Sequence, residues 1–344
     1  MSGNTVSVVI PTFNEEKTIR SALEALSRQT VLPVEVIVVD NGSADGTKGV
    51  VEKFIQTTPS PKTLLLAETK RGPSAARNRG IRGANGDIVA FLDADSIPKG
   101  EWVERLARVL QPPLSGVGGP CLGFLPGHFM ERYFTAVQKV HYSVRELSQE
   151  EDLRMGFLLG GNSAFRKEAL LEAGGFDETL QISEDMELCQ RLLAVGKRLY
   201  FDTTLAVDHA SNRSTWSRLK RNYLAGMVQA KVLKHHFPRG ITFYFGLTKP
   251  RRFFRQAPFA AILELFSVAK VSLFLLLTER EMSILLFSLW VALVGWRIHT
   301  VYRKANMRYS FLEFISVLTF WFVERLCLDL GRWRGSLRYG VFYV

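Results

Sequence analysis

Cysteine is scarce in this sequence: three in 344 residues, Cys121, Cys189 and Cys327, far apart and without Cys-x-x-Cys spacing. That excludes a disulfide framework and a thiolate zinc site, and the thiols read as free groups of a reducing compartment. No Gly-x-Gly-x-x-Gly follows the first β-rich run, so the dinucleotide-binding fingerprint is missing, and with it the case for a nicotinamide-dependent oxidoreductase. Met1 to Thr5 is polar and Val6 already opens a strand-like run, so no secretory signal is expected ahead of it. Acidic residues are absent between Asp208 and Glu264, a span that holds eleven Lys or Arg from Arg213 to Arg255. That block alone equals the net charge of +11. Such a run suits phosphates, whether of lipid headgroups, a pyrophosphate or nucleic acid. No nucleic-acid motif accompanies it, so no nucleic-acid partner is expected.

The apolar content of 47% rules out disorder, but it is unevenly spread. The first 110 residues alternate strand and helix signals. Val6–Ile10, Val34–Val39, Thr63–Leu66 and Asp87–Leu92 read as strands. Glu15–Arg28, with Ile19, Leu23 and Leu26 on one face, reads as a helix, as do Asp45–Gln56 and Ser74–Ala84. This alternation predicts an α/β domain with a mostly parallel sheet, whose ligands bind beyond the carboxyl ends of the strands. The polar clusters Thr12–Glu15, Asp40–Asp45 and Asp93–Asp95 all fall there.

The C-terminal part differs. Pro258–Thr278 is long enough to span a bilayer at ~1.5 Å per residue, although Glu264 and Lys270 interrupt it. Met282–His299 is a cleaner apolar run, and Phe311–Leu330 carries Glu313, Glu324, Arg325 and Asp329. Basic residues precede the first run and follow the second (Arg297, Arg303, Lys304, Arg308) and the third (Arg332, Arg334, Arg338). Two spans plus a C-terminal helix lying in the interface or packed on the hairpin put all three clusters on the cytoplasmic side. Three spans are the alternative, and core helices of a soluble protein a further one. The expected organisation is a soluble domain over 1–240, facing the cytoplasm, and a membrane-associated part over 241–344. The expected localisation is a multi-pass membrane protein.

The sharpest motif is Ile88-Val-Ala-Phe-Leu-Asp93-Ala-Asp95. Extended residues two apart point the same way, so both carboxylates can face one Mn²⁺ or Mg²⁺. A solvated strand-end turn would look the same. Gly160-Gly161 permits close backbone approach to a ligand. Ser183-Glu184-Asp185 opens a helix with Leu188, Leu192 and Val195 in phase, Ser183 being the expected N-cap; ordinary capping also accounts for the two acids. His209 follows a short strand and, on its residues alone, reads as a surface or core histidine. Trp216, Arg218, Arg221 and Tyr223 open a basic helix suited equally to the phosphates of a bound ligand and to a membrane surface, while His235 and His236 read as interfacial.

Taken in order, Val8-Val-Ile-Pro-Thr-Phe-Asn-Glu15, Val38-Val-Asp-Asn-Gly-Ser43, Leu92-Asp-Ala-Asp95, Gly174-Gly-Phe-Asp-Glu178 and Ser-Glu-Asp185 resemble glycosyltransferase family 2 over residues 5–210. The resemblance implies a Rossmann-like GT-A fold, a nucleotide-diphosphate sugar donor, and inversion at the anomeric carbon. It implies that Pro11, Thr12, Asn14, Glu15 and Asp40 line a nucleoside pocket and that Arg71 and Arg77 lie in the donor-contacting segment. It further implies that Asp93 and Asp95 hold the metal and diphosphate, with His209 completing the site, and that Asp185 is the base. No Gln-x-x-Arg-Trp follows Asp185, so processive chain extension is not expected. A base suits a hydroxyl acceptor on a membrane lipid, a lipid-linked saccharide or a similar molecule, since a polyprenyl phosphate, the alternative, is already ionised. A non-catalytic nucleotide-sugar scaffold is the remaining rival.

Overall fold

The computed structural model describes residues 4–123, 132–133, 136–137, 145–147, 157–209, 215–236, 240–244, 251–253, 260–264, 280–340 and 342–343. The chain divides into two compact units. The first is Met1–Leu125 with Tyr142–Gln149 and Leu153–Ser211; the second is Pro126–His141, Glu150–Asp152 and Asn212–Val344.

In the first unit the main sheet is built from β1 (Val6–Thr12), β2 (Glu35–Asp40), β3 (Thr63–Ala67) and β4 (Ile88–Leu92). After β4 come β5 (Ser96–Pro98), β6 (Leu114–Gly118), β7 (Cys121–Gly123), β8 (Arg145–Glu146), β9 (Asn162–Arg166), β10 (Arg198–Phe201) and β11 (Val207–His209). Among the described residues the sheet order is β3-β2-β1-β4-β9-β6-β10-β8. The first four strands are parallel, β9 runs antiparallel to β4 and β6, and a small sheet β5-β11-β7 stands apart. Because both faces are covered, β2 and β4 are buried at every position, which is why they read as unbroken apolar runs. Alternate side chains feed opposite cores. Val8, Ile10 and Val38 pack with Ile19, Leu23 and Leu26 of helix Ile19–Ser27, as its periodicity predicts. Val9, Ile37, Val39 and Phe91 pack on the other side with Ala76, Ile81 and Phe176. Phe91 is fully buried, and truncating such a side chain costs about 3–5 kcal/mol.

The second unit contains helices Thr215–His236, Arg280–Lys304 and Phe311–Tyr339. Its strands β12 (Gly240–Tyr244), β13 (Arg251–Phe253), β14 (Ala260–Glu264) and β15 (Phe342–Tyr343) are ordered β13-β12-β14-β15. Val294, Ile298 and Tyr302 pack against Val317 and Phe320. Helices Thr215–His236 and Phe311–Tyr339 meet at glycines: a Cβ at Gly331 would overlap the carbonyl of Tyr223. Their contact is polar as well, with Arg332 donating across it to Gln229 Oε1 at 2.9 Å, and within its own helix to Asp329 Oδ1 at 3.1 Å.

Among the described residues the expected membrane hairpin is not seen. Most of Pro258–Thr278 lies outside the described residues, and its described part is β14, paired with β12. The second and third runs are helical, but among the described residues no helix is long and apolar enough to cross a membrane. The charges that interrupt the third run are satisfied by protein partners. Glu313 accepts from Tyr302 Oη at 2.8 Å and from Arg132 Nη1 at 3.0 Å.

Candidate active site

Beyond the end of β4 the chain turns through Asp93-Ala94-Asp95 into β5. The Asp93 N–H reaches the Gly161 carbonyl at 3.3 Å, and the Ser96 N–H reaches the Asp93 carbonyl at 3.0 Å. β5 pairs antiparallel with β11, in a register that sets His209 opposite Ser96. The imidazole therefore lies beside Asp95, with Nε2 3.2 Å from Oδ1. One ligand atom each from Asp93, Asp95 and His209 lies within 4.8 Å of the others, and all three side chains are partly buried. Two carboxylate oxygens and one imidazole nitrogen are a donor set suited to a divalent cation. Bonds of ~2.1 Å put opposite ligands ~4.2 Å apart, so the three donors fit around one ion after small side-chain shifts.

Gly160 and Gly161 precede β9 and press against this cluster. A Cβ at Gly161 would overlap the Asp93 carboxylate, and one at Gly160 would come within 3.0 Å of Arg77 Nη2. The Gly160 N–H donates to Asp185 Oδ2 at 2.9 Å. Arg77, only 4% exposed, donates from Nη1 to Glu184 Oε1 at 2.5 Å and from Nη2 to Asp93 Oδ1 at 3.3 Å. The guanidinium thus links the strand-end carboxylate to the first turn of helix Glu184–Ala194.

Asp185 stands next to that link. Burial, and then the charge of Glu184, push its carboxyl up to about 6, against the pull of the Gly160 N–H and Arg77. Cys121 on β7 reports the same convergence: burial raises its thiol, and the carboxylates of Asp93, Asp95 and Asp185 raise it further. Ser183 takes the N-cap position expected of it, but not the usual capping geometry. Its φ is +59° and its side chain makes no capping bond.

The residues expected to line a nucleoside pocket gather at the carboxyl ends of β1 and β2. Pro11 and Thr12 stand in register with Val39 and Asp40, and the buried Thr12 hydroxyl donates to the Val39 carbonyl at 3.2 Å. Asn14, with φ +58°, accepts from the Ala44 N–H at 2.8 Å. Glu15 donates its N–H to Thr47 and accepts from the Thr18 hydroxyl at 2.6 Å. Asp40 accepts from the N–H groups of Gly42 and Ser43, each at 3.2 Å, and lies 3.4 Å from Lys48 Nζ. These polar groups tie the two loops into one rim. Arg71 joins that rim, stacked over Phe13 at 4.7 Å and donating to the Asn41 carbonyl. Arg77 does not; it belongs to the carboxylate cluster.

Two participants escape a reading of the sequence alone. Glu184 has the pattern of a helix-capping acid, and its partner lies 107 residues away. Phe13, 49% exposed beside Arg71, carries no pattern beyond an apolar residue in a polar loop. The helix Thr215–His236 forms as expected, with the side chains of His235 and His236 outside the described residues.

The profile of Glycosyl transferase family 2 matches residues 7–174. Glycosyltransferase AglE of Haloferax volcanii is 32% identical over 235 residues, covering 66% of this chain and 73% of that protein. The GalNAc(5)-diNAcBac-PP-undecaprenol beta-1,3-glucosyltransferase of Campylobacter jejuni is 30% identical over 173 residues, covering 50% of this chain and 55% of the relative. In fold, the chain is similar to the mannosyltransferase PcManGT of Pyrobaculum calidifontis, solved with GDP-Man and Mn²⁺. The TM-score is 0.61 at 18% identity, over 98% of this chain and 88% of the other.

Proposed function

This chain belongs to glycosyltransferase family 2, and from that premise we propose that it transfers a sugar, with inversion, from a nucleotide-diphosphate donor to a hydroxyl of a lipid-linked or other saccharide acceptor. The carrying observation is the meeting of Asp93, Asp95 and His209 in one cluster, joined through Arg77 to the turn that bears Asp185.

In this reading Asp93, Asp95 and His209 hold a divalent cation, which when bound neutralises charge gathering on the departing diphosphate. Asp185 takes the proton from the acceptor hydroxyl. That oxygen forms its bond to the anomeric carbon on the face opposite the breaking carbon–oxygen bond, and the nucleoside diphosphate leaves with the electron pair. One displacement inverts the configuration and needs one base and no protein nucleophile. A carboxyl held near 6 is ionised at neutral pH yet basic enough to share a proton in the transition state. The rim of Pro11, Thr12, Asn14, Glu15, Asp40 and Arg71 faces the nucleoside in this assignment. The lipid-linked acceptor draws support from the Campylobacter relative, whose name specifies an undecaprenol diphosphate saccharide.

The test is a panel of UDP-, GDP- and dTDP-sugars with and without Mn²⁺, read first by thermal shift and then by transfer to a lipid extract. A donor that stabilises the fold only with the cation, and a product of inverted configuration, are the expected results. Retained configuration would overturn the single displacement, and transfer to polyprenyl phosphate alone would overturn the hydroxyl acceptor.

A further inference from the structure

Helix Phe311–Tyr339 has two apolar faces. One, with Val317, Phe320, Gly331 and Gly335, is buried in the second unit. On the opposite side Leu312, Ile315, Leu326, Leu330, Trp333 and Leu337 are exposed, Leu312 at 77% and Leu337 at 88%. Their spacings of three, four and eleven residues keep them in one line at 3.6 residues per turn, along ~38 Å of helix. A solvent-facing side of a packed helix is ordinarily polar, and an apolar stripe of this length, crossed by Thr319, marks a surface that something else covers.

The charges say what. Between residues 300 and 340 every exposed charged side chain is basic: Arg303, Lys304 and Arg308 ahead of the stripe, Arg334 and Arg338 at its far end. The acids of the helix are withdrawn. Glu313 is held by Tyr302 and Arg132, Asp329 by Arg332, and the half-buried Glu324 by Asn222. A second copy of this chain is disfavoured, because cations stand at both ends of the stripe and meet cations in either orientation. An anionic bilayer surface satisfies both features at once, taking the leucines and Trp333 into the headgroup–acyl boundary and the cations among lipid phosphates.

We propose that the exposed face of helix Phe311–Tyr339, with its flanking cations, is a docking surface for an anionic lipid bilayer on which the helix lies flat. The proposal stands apart from the chemistry of Asp93 and Asp185, so its test needs no turnover. The full chain is floated with vesicles of phosphatidylcholine alone and of phosphatidylcholine mixed with phosphatidylglycerol. It is expected to rise with the mixed vesicles, less so with the neutral ones, and to be released as salt increases. Leu312→Glu and Leu337→Glu should each weaken flotation about tenfold. Arg334→Ala and Arg338→Ala should each cost about fivefold on anionic vesicles only. Circular dichroism checks that these variants of exposed residues still fold. Independently of any folding defect, brominated lipid should quench tryptophan fluorescence in the unaltered chain, and Trp333→Phe should remove part of that quenching. The proposal is overturned by absent flotation, by equal flotation on both vesicles, or by flotation indifferent to the leucine variants. A dimer that Leu337→Glu dissolves in the absence of lipid would overturn it too.

Discussion

Arg77 donates to Glu184 across 2.5 Å with both side chains buried, although 107 residues separate them in the chain. The pair is the fixed point of the carboxylate cluster, because the same guanidinium also holds Asp93. Four carboxylates, Asp93, Asp95, Glu184 and Asp185, crowd the region, and Arg77 is the buried cation that offsets part of their repulsion.

Removing that cation should therefore be costly. Arg77→Met leaves Glu184 buried without its partner, and breaking such a pair from one side costs about 3–5 kcal/mol. Glu184→Gln keeps the shape and one acceptor oxygen while removing a charge, so it should cost less. Urea denaturation of both variants at neutral pH checks the order; equal losses would mean that the pair is not the fixed point.

The cation site yields a second expectation. Asp95→Asn and His209→Ala should weaken Mn²⁺ binding, read by electron paramagnetic resonance of the free ion. Loss of an outer-sphere partner typically costs about 10–100-fold in affinity, and removing a direct ligand should cost at least as much. The melting temperature without metal should hardly change, because β5 and β11 are held by backbone pairing and not by the cluster. Unaltered Mn²⁺ affinity in both variants would dismiss the site.

A third concerns pH. Asp185 is raised from the ordinary carboxyl value to about 6, so the folded chain holds its proton over a window in which the unfolded chain has released it. The unfolded state binds fewer protons there, and stability of the metal-free protein must fall as pH rises from about 4 to about 6. Allowing for its partial exposure, the loss is on the order of 2 kcal/mol. Asp185→Asn should flatten that part of the stability profile. Transfer needs the ionised form, so its rate should climb over the same window and drop about 10²–10⁴-fold in the variant. A stability profile unchanged by the substitution would mean that some other group titrates in that window.

The sheet and the strand-end carboxylates are readable in the sequence because both obey local rules. Fully buried parallel strands spell continuous apolar runs, and Asp93 and Asp95 share a direction through their spacing. Family resemblance, not spacing, points to His209, since only the pairing of β5 with β11 carries it to Asp95. Arg77–Glu184 is illegible for the same reason: two distant segments supply it and neither has a pattern of its own. The C-terminal runs are ambiguous in the sequence because an apolar helix packed on protein and one packed on lipid have the same composition. The close approach at Gly331 and the internal partners of Glu313 and Arg332 come from segments far apart in the chain, and no local pattern announces them.

The sharpest test of the site uses a single methyl group. A Cβ at Gly161 would overlap the Asp93 carboxylate, so Gly161→Ala must push that side chain away from Arg77 and from the ligand cluster. The backbone behind it is well anchored. The Asn162 amide donates to the carbonyls of Pro120 at 3.0 Å and Leu205 at 2.7 Å, and its oxygen accepts from Trp102 Nε1 at 2.9 Å. The strand therefore cannot retreat, and the carboxylate has to. A displacement of about 1 Å at a reacting centre typically costs about 10²-fold, so transfer should fall by that order, with weaker Mn²⁺ binding and a nearly unchanged urea midpoint. Gly160→Ala makes the control: its Cβ meets the end of the Arg77 side chain at 3.0 Å instead of a ligand, so Mn²⁺ affinity should change less. If Gly161→Ala binds Mn²⁺ and transfers sugar like the unaltered chain, Asp93 can do its work from another position, and the geometry assigned to the cluster is wrong.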